Sequence, residues 1–206
     1  MRKLGVATLI AICFVLIGTA HAETPSGSLR LFVTSANPTS DFSGDLGLGA
    51  PVEVEADSST GFGVAYEIRI NRRLGVETGM IIMPFDFGLE FLGSSEELGD
   101  TTAIPITVGL DLHLLGEKSR VDLYAGPIVG YTLWADMDFS AAAGGGVADL
   151  DDSFGIGAVL GLDVPFGSSN WQFNAALRYL PMSAEDPSVE IEVDPLFVDL
   201  GFGYRF

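Results

Sequence analysis

Cysteine is almost absent from this 206-residue chain, and the single one, Cys13, lies in an apolar run from Leu9 to Ile17. Arg2 and Lys3 precede that run, and Ala20-His21-Ala22 follows it as a small-x-small cleavage pattern. These features read as a secretory signal peptide over residues 1–22, with the mature chain starting near Glu23. A lipid-anchored Cys needs a small residue before it, and Ile12 is not small. The mature chain is therefore expected to lack cysteine, which excludes disulfides, thiol chemistry and a lipoprotein anchor. Positive charge is also scarce. Cleavage removes two of the ten Lys and Arg and leaves eight against 28 Asp and Glu. A chain this acidic repels nucleic acid, and that partner class drops out. Its acidity does not signal disorder, because 48% of residues are hydrophobic and 14 are Phe. Beyond the signal, no apolar run approaches the roughly 18 residues that a membrane helix needs. If the chain spans a membrane, it does so with strands, and residues 23–206 form one domain.

What the chain does contain is period-2 alternation. At the C-terminus Val198, Leu200, Phe202, Tyr204 and Phe206 alternate with Asp199, Gly201, Gly203 and Arg205. The two sets fall on opposite faces of a strand. In water such a strand would be a sticky edge. In a closed outer-membrane barrel its apolar face meets lipid and its edge pairs with the first strand. Seven more stretches alternate in the same way: Ser28 to Ala36, Gly61 to Ile70, Leu74 to Pro84, Ala103 to Leu114, Val121 to Leu133, Phe154 to Phe166, and Trp171 to Tyr179. Short turns at Asn71-Arg72-Arg73, Gly116 to Ser119 and Gly167 to Asn170 alternate with long acidic segments. Phe85 to Asp100 is one such segment, read here as a loop. The pattern predicts an all-β, eight-stranded antiparallel up-and-down transmembrane barrel with short periplasmic turns and long extracellular loops. A soluble lipocalin-like barrel would instead place its bulky apolar residues inside. Phe166, Trp171, Tyr66, Tyr131 and Tyr179 fit interface aromatics.

Alternation also assigns the lumen. Near the periplasmic half the inward set includes Glu67, Arg69, Glu77, Asp111, His113, Asp122, Asp163, Arg178 and Arg205. Buried charges of both signs must pair, which predicts a polar plug, the alternative being an ion path. Near the outer half the inward set becomes apolar: Phe32, Ile81, Met83, Ile128, Leu180, Met182 and Phe197, with Trp134 near the rim. Two readings stay open for these residues, a wall for apolar ligands or a small core under folded-down loops. Pro84, Pro105, Pro127 and Pro181 fall in outer strand halves, and each removes a backbone donor. An interrupted wall there would let an apolar solute leave sideways into the bilayer.

The tail Asp194-Pro195 followed by Gly201-Phe202-Gly203-Tyr204-Arg205-Phe206 resembles the OmpW family of small outer-membrane barrels. The resemblance extends to Asn37-Pro38, to Ala125-Gly126-Pro127 through Tyr131-Thr132, and to Trp171-Gln172-Phe173-Asn174-Ala175. It implies an eight-stranded barrel with an apolar lumen that passes small hydrophobic molecules across the outer membrane. Leu196 stands where the family commonly has an aromatic, and the loops are unusually acidic. Expected partners are outer-membrane lipid and lipopolysaccharide, small hydrophobic solutes, and the barrel-assembly machinery. The machinery would engage the last strand, with Tyr204 and Phe206 as the signal. An enzyme is not expected. Once His21 is gone, the one remaining histidine, His113, sits at the periplasmic end, and one histidine builds no histidine-based metal site. No cofactor is expected either. The rival function is a structural or adhesive barrel displaying acidic loops. Ala148 to Asp152 and Glu185 to Glu192 could hold Ca²⁺ or Mg²⁺, but neither has calcium-loop spacing, and a solvated charged surface explains them.

Overall fold

The computed structural model describes residues 27–39, 42–44, 52–91, 94–115, 120–140, 145–186 and 189–206. The expected signal peptide and the turn at Gly116 to Ser119 lie outside the described residues. Eight strands make the wall: β1 (Gly27–Pro38), β2 (Ser59–Arg69), β3 (Leu74–Phe91), β4 (Ser94–His113), β5 (Asp122–Trp134), β6 (Ser153–Pro165), β7 (Trp171–Tyr179) and β8 (Pro195–Arg205). Each pairs antiparallel with its neighbours in sequence. β8 returns to β1 in a register that sets Leu31 opposite Phe202 and closes the cylinder. The seam is fastened at its end by Gly27 and Phe206, whose backbone N–H groups each donate to the other's carbonyl at 3.0 Å. Closure leaves no strand edge in the wall, the condition a strand must meet to cross hydrocarbon.

The alternation holds strand by strand. On β1, Leu29, Leu31 and Val33 are exposed, while Ser28, Arg30, Phe32 and Thr34 are buried. On β8, Leu200, Phe202 and Tyr204 are exposed, and the inward positions are Asp199, Gly201 and Gly203. The outward face is a continuous apolar band: Phe62 is 69% exposed, Ile156 66% and Leu31 61%. Such a band in water would be far larger than a soluble protein tolerates. The short turns are built locally. Asn71 Oδ1 accepts from the N–H groups of Arg73 at 2.8 Å and Leu74 at 3.0 Å, and Gly167 turns the next hairpin with φ of 60°.

The outer end departs from the expected loops. Residues 85–100 are mostly strand, because β3 runs to Phe91 and β4 begins at Ser94. The period-2 pattern simply continues: Phe85 and Phe87 point inward while Asp86 is exposed. A polar, Gly-containing stretch reads as loop only when strands are assumed to stop at the membrane. A register shift between Phe87 and Gly88 bends this hairpin. Val52–Ala56 adds to the outer end of β3 and Phe42–Gly44 to that strand. Met137–Phe139 adds to β4, and Gly146–Ala148 follows it. Met182–Asp186 and Val189–Val193 form a separate two-stranded hairpin.

The prolines cut the ladder where their missing donor points. Pro105 keeps its pairing with Thr132 of β5, but the β3–β4 ladder has no rung between Met80–Ile106 and Met83–Ala103. Pro127 keeps Ala158 of β6, and the β4–β5 ladder lapses between Gly109–Ile128 and Leu112–Ala125. Pro84 keeps Thr102, and the β2–β3 ladder stops at Phe62–Ile82. Above Ala158–Tyr179 the β6–β7 ladder has no further rung, although the carbonyls of Tyr179 and Pro181 still pack against Gly157 and Gly155 of β6.

Leu200 sits mid-strand on the lipid face between Val33 and Ala175. Leu200→Arg is expected to cost about 2–4 kcal/mol, the penalty for a cation near the bilayer midplane. Equilibrium urea unfolding in phospholipid vesicles measures it; a soluble barrel would show almost no change.

Candidate functional site

The lumen is layered, with a charged floor toward the periplasmic end and an apolar region above it. Arg30 of β1 is the centre of the floor. Its Nη1 donates to Glu77 Oε2 at 2.6 Å, and its Nη2 donates to Glu67 Oε2 at 2.6 Å and Asp163 Oδ2 at 2.8 Å. All four side chains are buried. The guanidinium carbon also stands 4.7 Å from the Tyr124 ring centroid. Tyr124 lies against Gly161 of β6, where a Cβ would overlap the ring, so a glycine is required there. Asn174 donates to Asp163 Oδ1 at 2.8 Å and to the Tyr124 hydroxyl at 3.1 Å. Arg178 donates through Nη2 to Glu77 at 3.2 Å and through Nε to Asp199 at 3.5 Å.

A second cluster closes the periplasmic side. His113 places Nε2 at 2.8 Å from Glu67 Oε1 and Nδ1 at 2.9 Å from Asp122 Oδ1. Both ring nitrogens thus face carboxylates, and neither is left for general-base work. Arg69 donates through Nε to Glu67 at 3.2 Å and through Nη2 to Asp122. Arg205, at the rim, donates to Gln172 Oε1 at 3.0 Å and sits 3.6 Å from Asp122. Asp111 is fully buried in the lumen, and among the described residues neither of its carboxylate oxygens has a hydrogen-bond donor. The structure thus joins Glu67, Arg69, Glu77, Asp122, Asp163, Arg178 and Arg205, all expected to face inward, into one network. Asp111 is in the lumen but outside that hydrogen-bonded set. Arg30 was not among the expected plug residues, and neither were Tyr124, Gln172, Asn174 and Asp199. The signal for Arg30 is plain in retrospect: it alternates with Leu29 and Leu31, so only the lumen can receive it.

Above the floor, Phe32, Ile81, Met83, Ile128, Leu180, Met182 and Phe197 are all buried and Trp134 nearly so. They belong to one apolar cluster with Phe85, Phe87, Met137, Leu150 and Val193. Phe85 packs 6.1 Å from Trp134 and 6.5 Å from Phe87, centroid to centroid. Phe85 and Phe87 escape a reading that ends β3 at Pro84. Gly63 makes room for the Phe32 ring, where a Cβ would overlap it. The Trp134 indole N–H lies 3.4 Å from Ser153 Oγ. At the periplasmic rim outside, Phe206 stacks on Tyr66 at 5.9 Å and Tyr204 meets Trp171 edge-on at 5.2 Å.

Removing one member of a buried ion network strands its partners, at about 3–5 kcal/mol. Arg30→Met, which leaves Glu67, Glu77 and Asp163 short of a cation, is expected to lose that much in vesicle unfolding. Arg205→Met at the half-exposed rim is expected to lose under about 1 kcal/mol. Equal losses would remove Arg30 from the centre of the floor.

The sequence profile of the OmpW family matches residues 29–206. Outer membrane protein W of Vibrio cholerae serotype O1 is 25% identical over 217 aligned residues, covering 98% of this chain and 97% of that protein. Outer membrane protein AlkL of Ectopseudomonas oleovorans is 26% identical, covering 79% of this chain and 75% of its own length. The crystal structure of the outer membrane protein OprG from Pseudomonas aeruginosa superposes with a TM-score of 0.77 at 24% identity, covering 89% of this chain and 97% of OprG. The fold, the lipid-facing band and the profile agree: the chain is an outer-membrane β-barrel and belongs to the OmpW family.

Proposed function

We propose that this barrel passes small hydrophobic molecules from the outside into the outer membrane, through the apolar upper lumen and out sideways between strands. The observation that carries the reading is the layering of the lumen. Apolar side chains facing a wet channel gain nothing by being there, whereas an apolar wall receives an apolar solute. The floor built on Arg30 stands across the straight route to the periplasm, and displacing it would expose several buried charges. A solute that enters from above is therefore steered toward the wall. The exit in this reading is above Ala158–Tyr179, where the β6–β7 ladder ends beside Leu180 and Pro181 lacks a backbone donor. In this reading Phe32, Ile81, Met83, Ile128, Trp134, Leu180, Met182 and Phe197 line the path. The side chains now fill that space themselves, and Met83 and Met182 are unbranched and adaptable enough to part. Tyr204 and Phe206 remain the proposed handle for the assembly machinery, and the outer segments face lipopolysaccharide.

A second reading, a rigid stand for display, is favoured by the outer extension of β3 and β4 with its four added short strands. One assay separates the two. Lipopolysaccharide-bearing vesicles with the barrel should take up a hydrophobic solute at least severalfold faster than vesicles without it, and a stand would leave uptake unchanged.

Two variants probe the path. Ile128→Asp puts an unpaired charge into the apolar region and is expected to cut uptake about tenfold while the barrel still resists unfolding. Pro181→Val restores a backbone donor, lets β6 and β7 pair further, and is expected to reduce uptake severalfold. Unchanged uptake in Pro181→Val would sink the sideways exit and leave the upper lumen as the entry.

A further inference from the structure

The outer end of the molecule has one sign of charge. Its four stretches, residues 39–58, 85–101, 135–152 and 181–194, each contain five Asp or Glu and no Lys or Arg. The cations of the mature chain are elsewhere. Arg72, Arg73 and Arg120 belong to the short connections at the opposite end, Lys118 lies in sequence between β4 and β5, and Arg30, Arg69, Arg178 and Arg205 are in the lumen and its periplasmic rim. Asp57, Asp86, Asp100, Asp136, Asp138 and Asp149 are exposed on this end. One carboxylate is fixed at the lumen rim itself. Asp152 accepts from the Tyr131 hydroxyl at 2.9 Å and lies 3.4 Å from the backbone nitrogen of Trp134. Deeper in, the two buried guanidiniums nearest the apolar region already serve acids of the floor, Arg30 three of them and Arg178 two.

We infer that this outer end selects by charge, so that the apolar lumen takes neutral or cationic hydrophobic molecules and turns away those with an anionic head. The inference rests on the transport reading above and names its substrate class. Among the described residues, the charged groups exposed at the mouth are carboxylates, so an anionic head approaching it is repelled and gains no ion pair there to offset its desolvation. A neutral molecule is indifferent to that field, and a cationic amphiphile is drawn by it. The field acts across water, so its reach follows the Debye length, about 30 Å at 0.01 M salt and about 3 Å at 1 M.

The test uses three probes with the same alkyl chain, ending in a hydroxyl, a trimethylammonium or a sulfonate. Their uptake is measured in lipopolysaccharide-bearing vesicles with and without the full-length mature barrel, across a salt series. At low salt the sulfonate is expected to enter about tenfold more slowly than the alcohol, within the range of electrostatic effects on encounter rates. The ammonium should keep pace with or exceed the alcohol, and the sulfonate deficit should shrink toward parity at high salt. The variant Asp136→Asn/Asp138→Asn/Asp149→Asn should narrow the low-salt gap about threefold, and the salt series on the unaltered protein serves if that variant does not fold. A sulfonate that enters as fast as the alcohol at low salt overturns the charge selection and leaves transport standing. So does a deficit that salt does not relieve, since head-group bulk would then be the cause. If no probe outruns the protein-free vesicles, the transport reading fails first and this inference with it.

Discussion

The guanidinium of Arg30 is the contact on which the rest of the interior depends. It is buried in a membrane protein's lumen and holds Glu67, Glu77 and Asp163, which come from β2, β3 and β6. Taking even one such ion out of water costs several kcal/mol, so a cluster like this survives only if its members are mutually satisfied. That requirement fixes what the neighbouring strands supply. Tyr124 offers a ring face, Asn174 bridges Asp163 to the Tyr124 hydroxyl, and Gly161 leaves room for the ring. Substituting apolar residues throughout would cost little in folding energy. The charges are therefore better understood as setting where the lumen ends than as added stability.

The wall obeys a different constraint. In hydrocarbon every backbone donor needs an acceptor, and closure through β1 and β8 supplies almost all of them. Proline is the one residue that removes a donor without leaving an orphan nitrogen behind. Pro84, Pro105 and Pro127 each keep a pairing on one side and lack rungs on the other. The chain thus weakens lateral contact between strands at chosen places and exposes few unpaired groups in doing so. All of these places lie at or above the floor, where the interior is becoming apolar. The lapse at Pro127 flanks Asp111 at the floor, while those at Pro84 and Pro105 lie beside Ile81 and Met83 in the apolar region.

How much of this was legible beforehand follows from what period-2 alternation can encode. It tells inside from outside at each position, and so the eight strands, their order, the outward apolar band and part of each lumen set could be read directly, while Arg30, Phe85 and Phe87 were missed. It says nothing about which inward side chains meet across the barrel. Arg30 and Asp163 are 133 residues apart, and only the closed cylinder brings them to 2.8 Å. Alternation also does not mark where the membrane stops. Phe85 and Phe87 continue the inward apolar series of Ile81 and Met83, and they were hidden by Asp86 and the glycines around them. The OmpW resemblance rested on the tail, which is also the seam strand. Its small inward residues Gly201 and Gly203 are dictated by close packing against Phe32, Arg30 and Gln172.

The two layers also differ in how they are tied to the fold. Arg30 reaches Glu67 on the adjacent strand β2, Glu77 on β3 and Asp163 on β6, and the Asp163 contact joins strands that face each other only across the closed cylinder, so completing the floor requires closing the wall. The apolar region is tied less tightly. Its side chains are held mainly by packing, apart from the Trp134 indole near Ser153 Oγ, and Met182 and Val193 reach it from a hairpin that makes no ladder with the wall. Packing contacts are individually small and can be exchanged for contacts with a guest of similar shape, whereas an ion network cannot be half opened without leaving a bare charge. The molecule therefore has its rigidity concentrated below and its adaptability above. In the proposed transport, a guest would displace apolar side chains in the upper lumen while the barrel stays closed, and would stop where displacement would have to break Arg30 from its acids.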